Sequence, residues 1–263
     1  MIGHGMHGDL GRLPIGSEEP SWTVDRAHEL KFLIDAETAR QVAAWAAERL
    51  EADAQHAPLH LAHGPIGNRS AGLVTTLCFD TDRLDVLHRT RGHRRRKFRI
   101  RRWGCADRIA FEQKRRRGDR TRRRSVIVAE SELAILAAPS SPSSWPGHWF
   151  HQRIVERGLR PTCLIEYSRA AFAGAGPEGR WQLTLDHDLR CGRKNDYSLA
   201  FGGSDPVDTS VEAVLELHFT AGLTLPFKEL LRTWRLNPAR LSKYRLCMAA
   251  LGANEPGLEG RVA

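Results

Sequence analysis

No apolar run in this sequence approaches the roughly 20 residues that a membrane-spanning helix needs. Its opening stretch, MIGHGMHGDLGRLPIGSEEP, contains no apolar signal core. Residues 1–21 are therefore expected to be a loose, Gly-rich leader without chemistry. Cysteine is scarce: Cys78, Cys105, Cys163, Cys191 and Cys247 are odd in number, scattered, and form no C-x-x-C pair. That pattern argues against a disulfide framework or a zinc site and for a reducing, cytoplasmic setting. No H-E-x-x-H marks a zinc hydrolase, no G-x-x-x-x-G-K-[ST] a Walker phosphate loop, and no G-x-S-x-G a nucleophile elbow.

What the chain has in excess is arginine. The 263 residues carry 34 Arg against 6 Lys, for a formal net charge of +9. Part of that excess can reflect genomic base composition, but its distribution is uneven. Between Arg89 and Arg124 there are 18 Arg or Lys and 3 acids, a local excess of +15, so the remainder sums to −6. An anionic partner is indicated, and the attraction belongs to one stretch.

The hydrophobic pattern is mostly of period two. In His28–Asp35, Glu29, Lys31 and Leu33 fall on one face and Leu30, Phe32 and Ile34 on the other. Helical spacing follows over Ala36–Leu50, then a long polar loop from Glu51 to Gly72. Further strands are expected at Leu73–Phe79, Arg96–Trp103, Arg108–Lys114, Arg122–Val128, Thr162–Arg169, Arg180–Asp186 and Val211–Phe219. Short helices are expected at Ser131–Ala137 and Trp149–Arg157, with a Pro/Ser-rich break at Pro139–Pro146. A final helix would be capped by Asn237, with Pro238 in its first turn. About eight strands with few helices between them predict an α+β chain built on an antiparallel β-barrel with flanking helices.

The polar strand faces are unusual. Glu29-x-Lys31 and Lys97-x-Arg99-x-Arg101 place charge at i, i+2 with apolar residues between, Glu112-x-Lys114 repeats the E-x-K pattern, and Glu216-x-His218 sets an acid and a histidine on one face between apolar neighbours. Period-two charge on successive strands is what a barrel with a charged interior looks like. Cations converging at low dielectric repel strongly unless counter-charges or a bound polyanion compensate. Glu29, Glu112 and Glu216 are too few to do so, whereas a chain of phosphates would suffice. A carboxylate among phosphates is best explained as a ligand of a hard divalent cation.

In order, HELKFLI, LCFDT, KFRIRRWG, FEQK, PTCLIEYSRAAF, WQLTLDHDLR, VLELHF and LSKY resemble the polyphosphate polymerase domain of the vacuolar transporter chaperone complex, a triphosphate tunnel metalloenzyme found also in bacteria. The resemblance runs from about Val24 to Leu251 and sets the expected tunnel domain at 22–252, with a tail at 253–263. It implies a tunnel-forming barrel that transfers the terminal phosphate of ATP to a growing polyphosphate chain, with Mn²⁺ or Mg²⁺. Carried over, Lys31, Arg99, Arg101, Lys114 and Arg169 would hold phosphates, Lys243 would close the tunnel, and Glu216 would bind the metal. The cation of the strand after Lys114 would be Arg122 or Arg124. The sequence departs from the family pattern at His218, where a cation is usual, and at Gln182, where Arg180 on the same strand face would substitute.

Other assignments compete. The same fold can support a triphosphatase, with water as acceptor, or a non-catalytic polyphosphate binder. The Arg89–Arg124 stretch could instead meet nucleic acid, but Phe98, Trp103 and Phe111 make a thin stacking platform, so no specific nucleic acid is expected. The expected partners are ATP and inorganic polyphosphate; without a spanning segment, contact with a membrane would run through a partner protein. Asp80 reads as a strand-end turn residue, and Arg94–Arg96 and Arg115–Arg117 read as solvated charge, since consecutive strand residues cannot all face one interior.

Overall fold

The computed structural model describes residues 22–52, 72–117, 120–203 and 205–253, with side chains from residue 27 onward. The expected leader, most of the Glu51–Gly72 loop and nearly all of the tail lie outside the described residues. In chain order the elements are β1 (Trp22–Ile34), α1 (Ala36–Arg49), β2 (Leu73–Asp80), β3 (Arg96–Trp103), β4 (Arg108–Arg117), β5 (Arg120–Ala129), a 3-10 helix (Glu130–Ala137), α2 (His148–Glu156), β6 (Arg160–Gly176), β7 (Gly179–Arg193), β8 (Val207–Asp208), β9 (Ala213–Phe219), α3 (Leu225–Thr233) and α4 (Lys243–Ala250). The strands pair in the order β6-β2-β3-β4-β5-β1-β9-β7-β8, and β6 also pairs with β7. That last pairing closes eight strands into a barrel, every ladder of which is antiparallel.

Closure puts one face of every strand inside and the other outside, and the apolar residues chose the outside. Phe98, Ile100, Ile109 and Phe111 pack under Phe150 and Trp149 of α2 and Leu133 and Leu136 of the 3-10 helix. On the opposite wall Phe32, Ile34, Leu183, Leu185, Leu215 and Leu217 pack under Val42, Trp45 and Ala46 of α1 and Phe227 and Leu230 of α3. The core is thus a layer between barrel and helices, and burying it there leaves the charged faces to converge within. Local signals agree with the topology. Asp35 caps α1 by accepting from the Thr38 N–H at 2.7 Å. Gly179, at φ +89, supplies the left-handed residue that lets β6 turn into β7.

One expectation is corrected. The final helix begins at Lys243 after Ser242, and Asn237 lies in the irregular segment before it. Helix α3 is a further element, in which Phe227 and Leu230 turn inward and fill the outer layer. Strands β6 and β7 run well past their expected ends because they pair with each other over Cys163–Gly176 and Gly179–Arg193, a long-range gain that strand propensity does not report.

Candidate active site inside the barrel

Register decides which charges meet. Lys31 stands opposite Glu216, and Glu29 opposite His218, across β1 and β9. Arg99 stands opposite Glu112, and Lys97 opposite Lys114, across β3 and β4. Lys114 in turn faces Arg123 on β5, Arg169 faces Asp186, and Gln182 and Thr184 face His218 and Glu216. All of these side chains share the inner surface. Lys243 joins them from α4, whose N-cap Ser242 accepts from Lys97 at 2.6 Å.

The interior is an ion-pair network. Lys31 Nζ lies 2.7 Å from Glu216 and 3.2 Å from Glu29. Lys114 donates to Glu29 at 2.5 Å, and Lys243 reaches both Glu216 and Asp186 at 2.5 Å. Arg169 grips Asp186 with two bonds, at 2.6 and 2.8 Å. Glu112 is shared by Arg99 at 2.5 Å, Arg123 at 3.8 Å and Arg101 at 3.9 Å. Burial would raise all four carboxyls, but the adjoining cations hold each one below the usual carboxylate range.

Pairing is uneven among the cations, which outnumber these carboxylates. Burial lowers the proton affinities of Arg169 and Lys243, but Asp186 together with Tyr167 and Glu216 reverses the sign and raises both. Lys97 is pushed down to about 8, first by burial and then by Lys31. Lys114 is pushed to about 7 by burial, against the pull of Glu29. Arg101 is 3% exposed, its Nε has no hydrogen-bond partner among the described residues, and burial with Arg99 alongside lowers it to about 10. Its guanidinium lies 5.6 Å from the Trp103 ring centre. Tyr167, beneath Arg169 and Lys243, has its phenol lowered: burial alone would raise it, and Arg101 and Arg169 reverse the sign.

The ligand atoms of Glu29, Glu216 and His218 all lie within 4.8 Å of one another. Burial lowers the His218 proton affinity despite Glu216 at 3.3 Å, so the imidazole is neutral at pH 7 and its nitrogen can ligate. Two carboxylates and a neutral imidazole fit a divalent cation.

Lys31, Arg99, Arg101, Lys114, Arg169, Lys243 and Glu216 thus converge, and His218 sits beside Glu216. Arg122 and Arg124 do not join them. They pair opposite Arg115 and Gln113, whose side chains point outward, and the inner cation of β5 is Arg123. A run of four polar residues, Thr121 to Arg124, offers no alternation from which to read the register. Arg180 has inward parity but is exposed at the start of β7. Sequence reasoning set Lys97 on the charged face of Arg99 and Arg101 but gave it no role in the site, and nothing in the sequence distinguishes Tyr167.

A closed antiparallel barrel with an ionic interior and its apolar core outside defines the class of fold, the tunnel barrels. The VTC domain family matches residues 26–252, and the chain belongs to that family. Solved structures resemble it more distantly. A proposed adenylate cyclase from Bacillus halodurans shares 16% identity over 82% of this chain and 95% of its own, with a TM-score of 0.48. One from Vibrio parahaemolyticus shares 11% over 84% and 96%, at 0.44. The PH1819 protein of Pyrococcus horikoshii shares 10% over 85% and 98%, at 0.42. No curated protein matches the chain. Among the described residues no helix is long and apolar enough to cross a membrane.

Proposed function

We propose that the protein transfers the terminal phosphate of ATP to the end of a polyphosphate chain held inside the barrel. The observation that carries this reading is Arg101: a buried guanidinium whose nearest carboxylate, Glu112, is 3.9 Å away and shared with two other arginines. A protein that keeps a cation so poorly compensated pays for it in stability unless an anion enters. Family membership supports phosphate chemistry for that anion. Arg99, Arg101 and Arg123 would grip consecutive phosphates, with Lys97 and Lys114 across the same wall. Arg169 and Lys243, already oriented by Asp186, would present fixed charge to the transferring group. Phosphoryl transfer asks mainly for in-line positioning and charge neutralisation, and an acceptor that is already anionic needs no strong general base.

Glu29, Glu216 and His218 would hold the divalent cation, which supplies Lewis acidity and neutralises phosphate oxygens when bound. The test is incubation with ATP and Mn²⁺ or Mg²⁺, followed by product analysis. Long phosphate chains are expected. Orthophosphate alone would make the protein a triphosphatase, and tight polyphosphate binding without turnover would make it a binder.

A further inference from the structure

The wall that carries the interior cations has an arginine-rich outer face. Strand alternation turns Arg96, Arg115, Arg122 and Arg124 outward beside the inward Lys97, Lys114 and Arg123. Across the ladders Arg96 stands directly opposite Arg115, and Arg115 opposite Arg122. Like charges in opposed positions destabilise a sheet, yet here two such pairs are consecutive. Helix α2 adds Arg153, and its C-cap residue is Arg157. Arg96, Gln113, Arg115, Arg124, Arg153 and Arg157 together line a cavity of about 180 Å³, with no carboxylate among them.

Arg115 and Arg153 rim the cavity and are exposed, whereas Arg96, Arg124 and Arg157 are half-buried and fixed by the structure around them. Arg124 lies 4.3 Å from the centre of the Trp149 ring, which packs against the buried Phe150. Gln113 is 7% exposed and brings an amide to the same lining. Arg157 donates to the Gly92 carbonyl at 3.3 Å. Burial, then Arg96 and Arg153, lower its proton affinity. Glu156 pairs with Arg153 on the exposed side of α2 and does not line the cavity.

We propose that this outer cavity is a second site for a short linear phosphate chain, separate from the barrel interior. Guanidinium forks pair bidentately with phosphate oxygens. The volume equals that of about six waters in the liquid, and a chain of linked phosphates matches several cations where one carboxylate could not. Single-stranded nucleic acid is disfavoured because the ring in reach, Trp149, is already covered by Arg124 and leaves no face for base stacking.

The test is calorimetric titration of the full chain with tripolyphosphate at fixed salt. Two sites per chain are expected. Arg115→Gln with Arg157→Gln should remove one site, weakening it at least about tenfold, and leave the other. Arg99→Ala with Arg101→Ala should do the reverse. Because each pair reports on its own site, loss of the interior site alone counts against the polymerase reading and leaves this one standing. Thermal melting of ligand-free Arg115→Gln/Arg157→Gln serves as the folding control, and relief of repulsion should raise its midpoint. A single site in the unaltered protein that persists in Arg115→Gln/Arg157→Gln, or two sites surviving in that variant, would overturn the proposal. So would a single-stranded DNA oligonucleotide of equal charge that displaces tripolyphosphate from the outer site equally well, since that marks a diffuse polyanion surface.

Discussion

Arg101→Met should make the ligand-free protein more stable and its interior phosphate site weaker. Arg101 is held at about 10, below its ordinary value, by burial and by its cationic neighbours. At about 1.4 kcal/mol per decade of proton affinity, its surroundings cost the charged form roughly 3 kcal/mol. Methionine keeps much of the volume and the contact with Trp103 while discarding the charge, and such replacements of buried charges are often neutral or stabilising. A gain of about 2 kcal/mol would raise the melting midpoint by roughly 4–8 °C in a chain of this size. The same change removes a charge-assisted bond to phosphate, worth about 1.5–3 kcal/mol, or roughly a ten- to hundredfold loss of tripolyphosphate affinity. Arg169→Met is the contrast: it strips the bidentate partner from Asp186, fully buried, and should cost about 3–5 kcal/mol. Thermal melting and calorimetry of both variants decide the matter. A lowered midpoint for Arg101→Met, or unchanged affinity, would refute the view that the interior stores uncompensated charge for a polyanion.

Lys97, held at about 8, should regain its proton when phosphate binds, so binding at pH 8 takes up about half a proton, seen as a dependence of calorimetric heat on buffer ionisation enthalpy; Lys97→Met should abolish it. The sign follows for stability as well: the unfolded chain holds the extra proton between about 8 and 10, so the Lys97 contribution to stability rises with pH across that window, and affinity for the anion falls across it. Glu216→Gln should weaken Mn²⁺ binding at least about tenfold, followed by electron paramagnetic resonance, because the amide loses the charge that a hard cation needs. The same change also takes a counter-charge from Lys31 and Lys243, so the midpoint should fall, and an unshifted midpoint with intact Mn²⁺ binding would remove Glu216 from the site.

The barrel was legible in the sequence because alternation is a local signal: Glu29, Lys31, Phe32 and Ile34 declare their faces within one strand, and so do Lys97 to Arg101. It failed where local residues are all of one kind. Thr121 to Arg124 contain no apolar marker, so the assignment went to Arg122 or Arg124, and only the pairing of Lys114 with Arg123 sets the register. The outer arginine cavity was hidden for a related reason. Arg96 and Arg115 look like solvated charge along the chain, and α2 brings Arg153 and Arg157 over them from far away. Asp80, read as a turn residue, does hold a turn by accepting from Thr81, Val86 and Leu87 N–H groups. It also anchors α4 through Tyr244 at 2.7 Å, a contact across 164 residues that no motif records.

The carboxylates sort the interior cations into sets with different freedom. Asp186, with two bonds from Arg169 and one contact from Lys243, fixes both of its cations, and Tyr244 on Asp80 holds the helix that delivers Lys243. Glu29 and Glu216 bind Lys31 on the β1–β9 wall, where the metal-competent His218 also sits, and Glu29 reaches Lys114 on β4. On the β3–β5 wall one carboxylate, Glu112, serves Arg99, Arg101 and Arg123, and Lys97 donates to the Ser242 hydroxyl. Cation excess is therefore greatest on that wall, and an entering phosphate chain gains most there and displaces the fewest existing pairs. Metal ligation and transfer would be expected on the opposite wall, where the carboxylates are. On the polymerase reading, the asymmetry of four buried acids is enough to give the barrel a side that grips and a side that reacts.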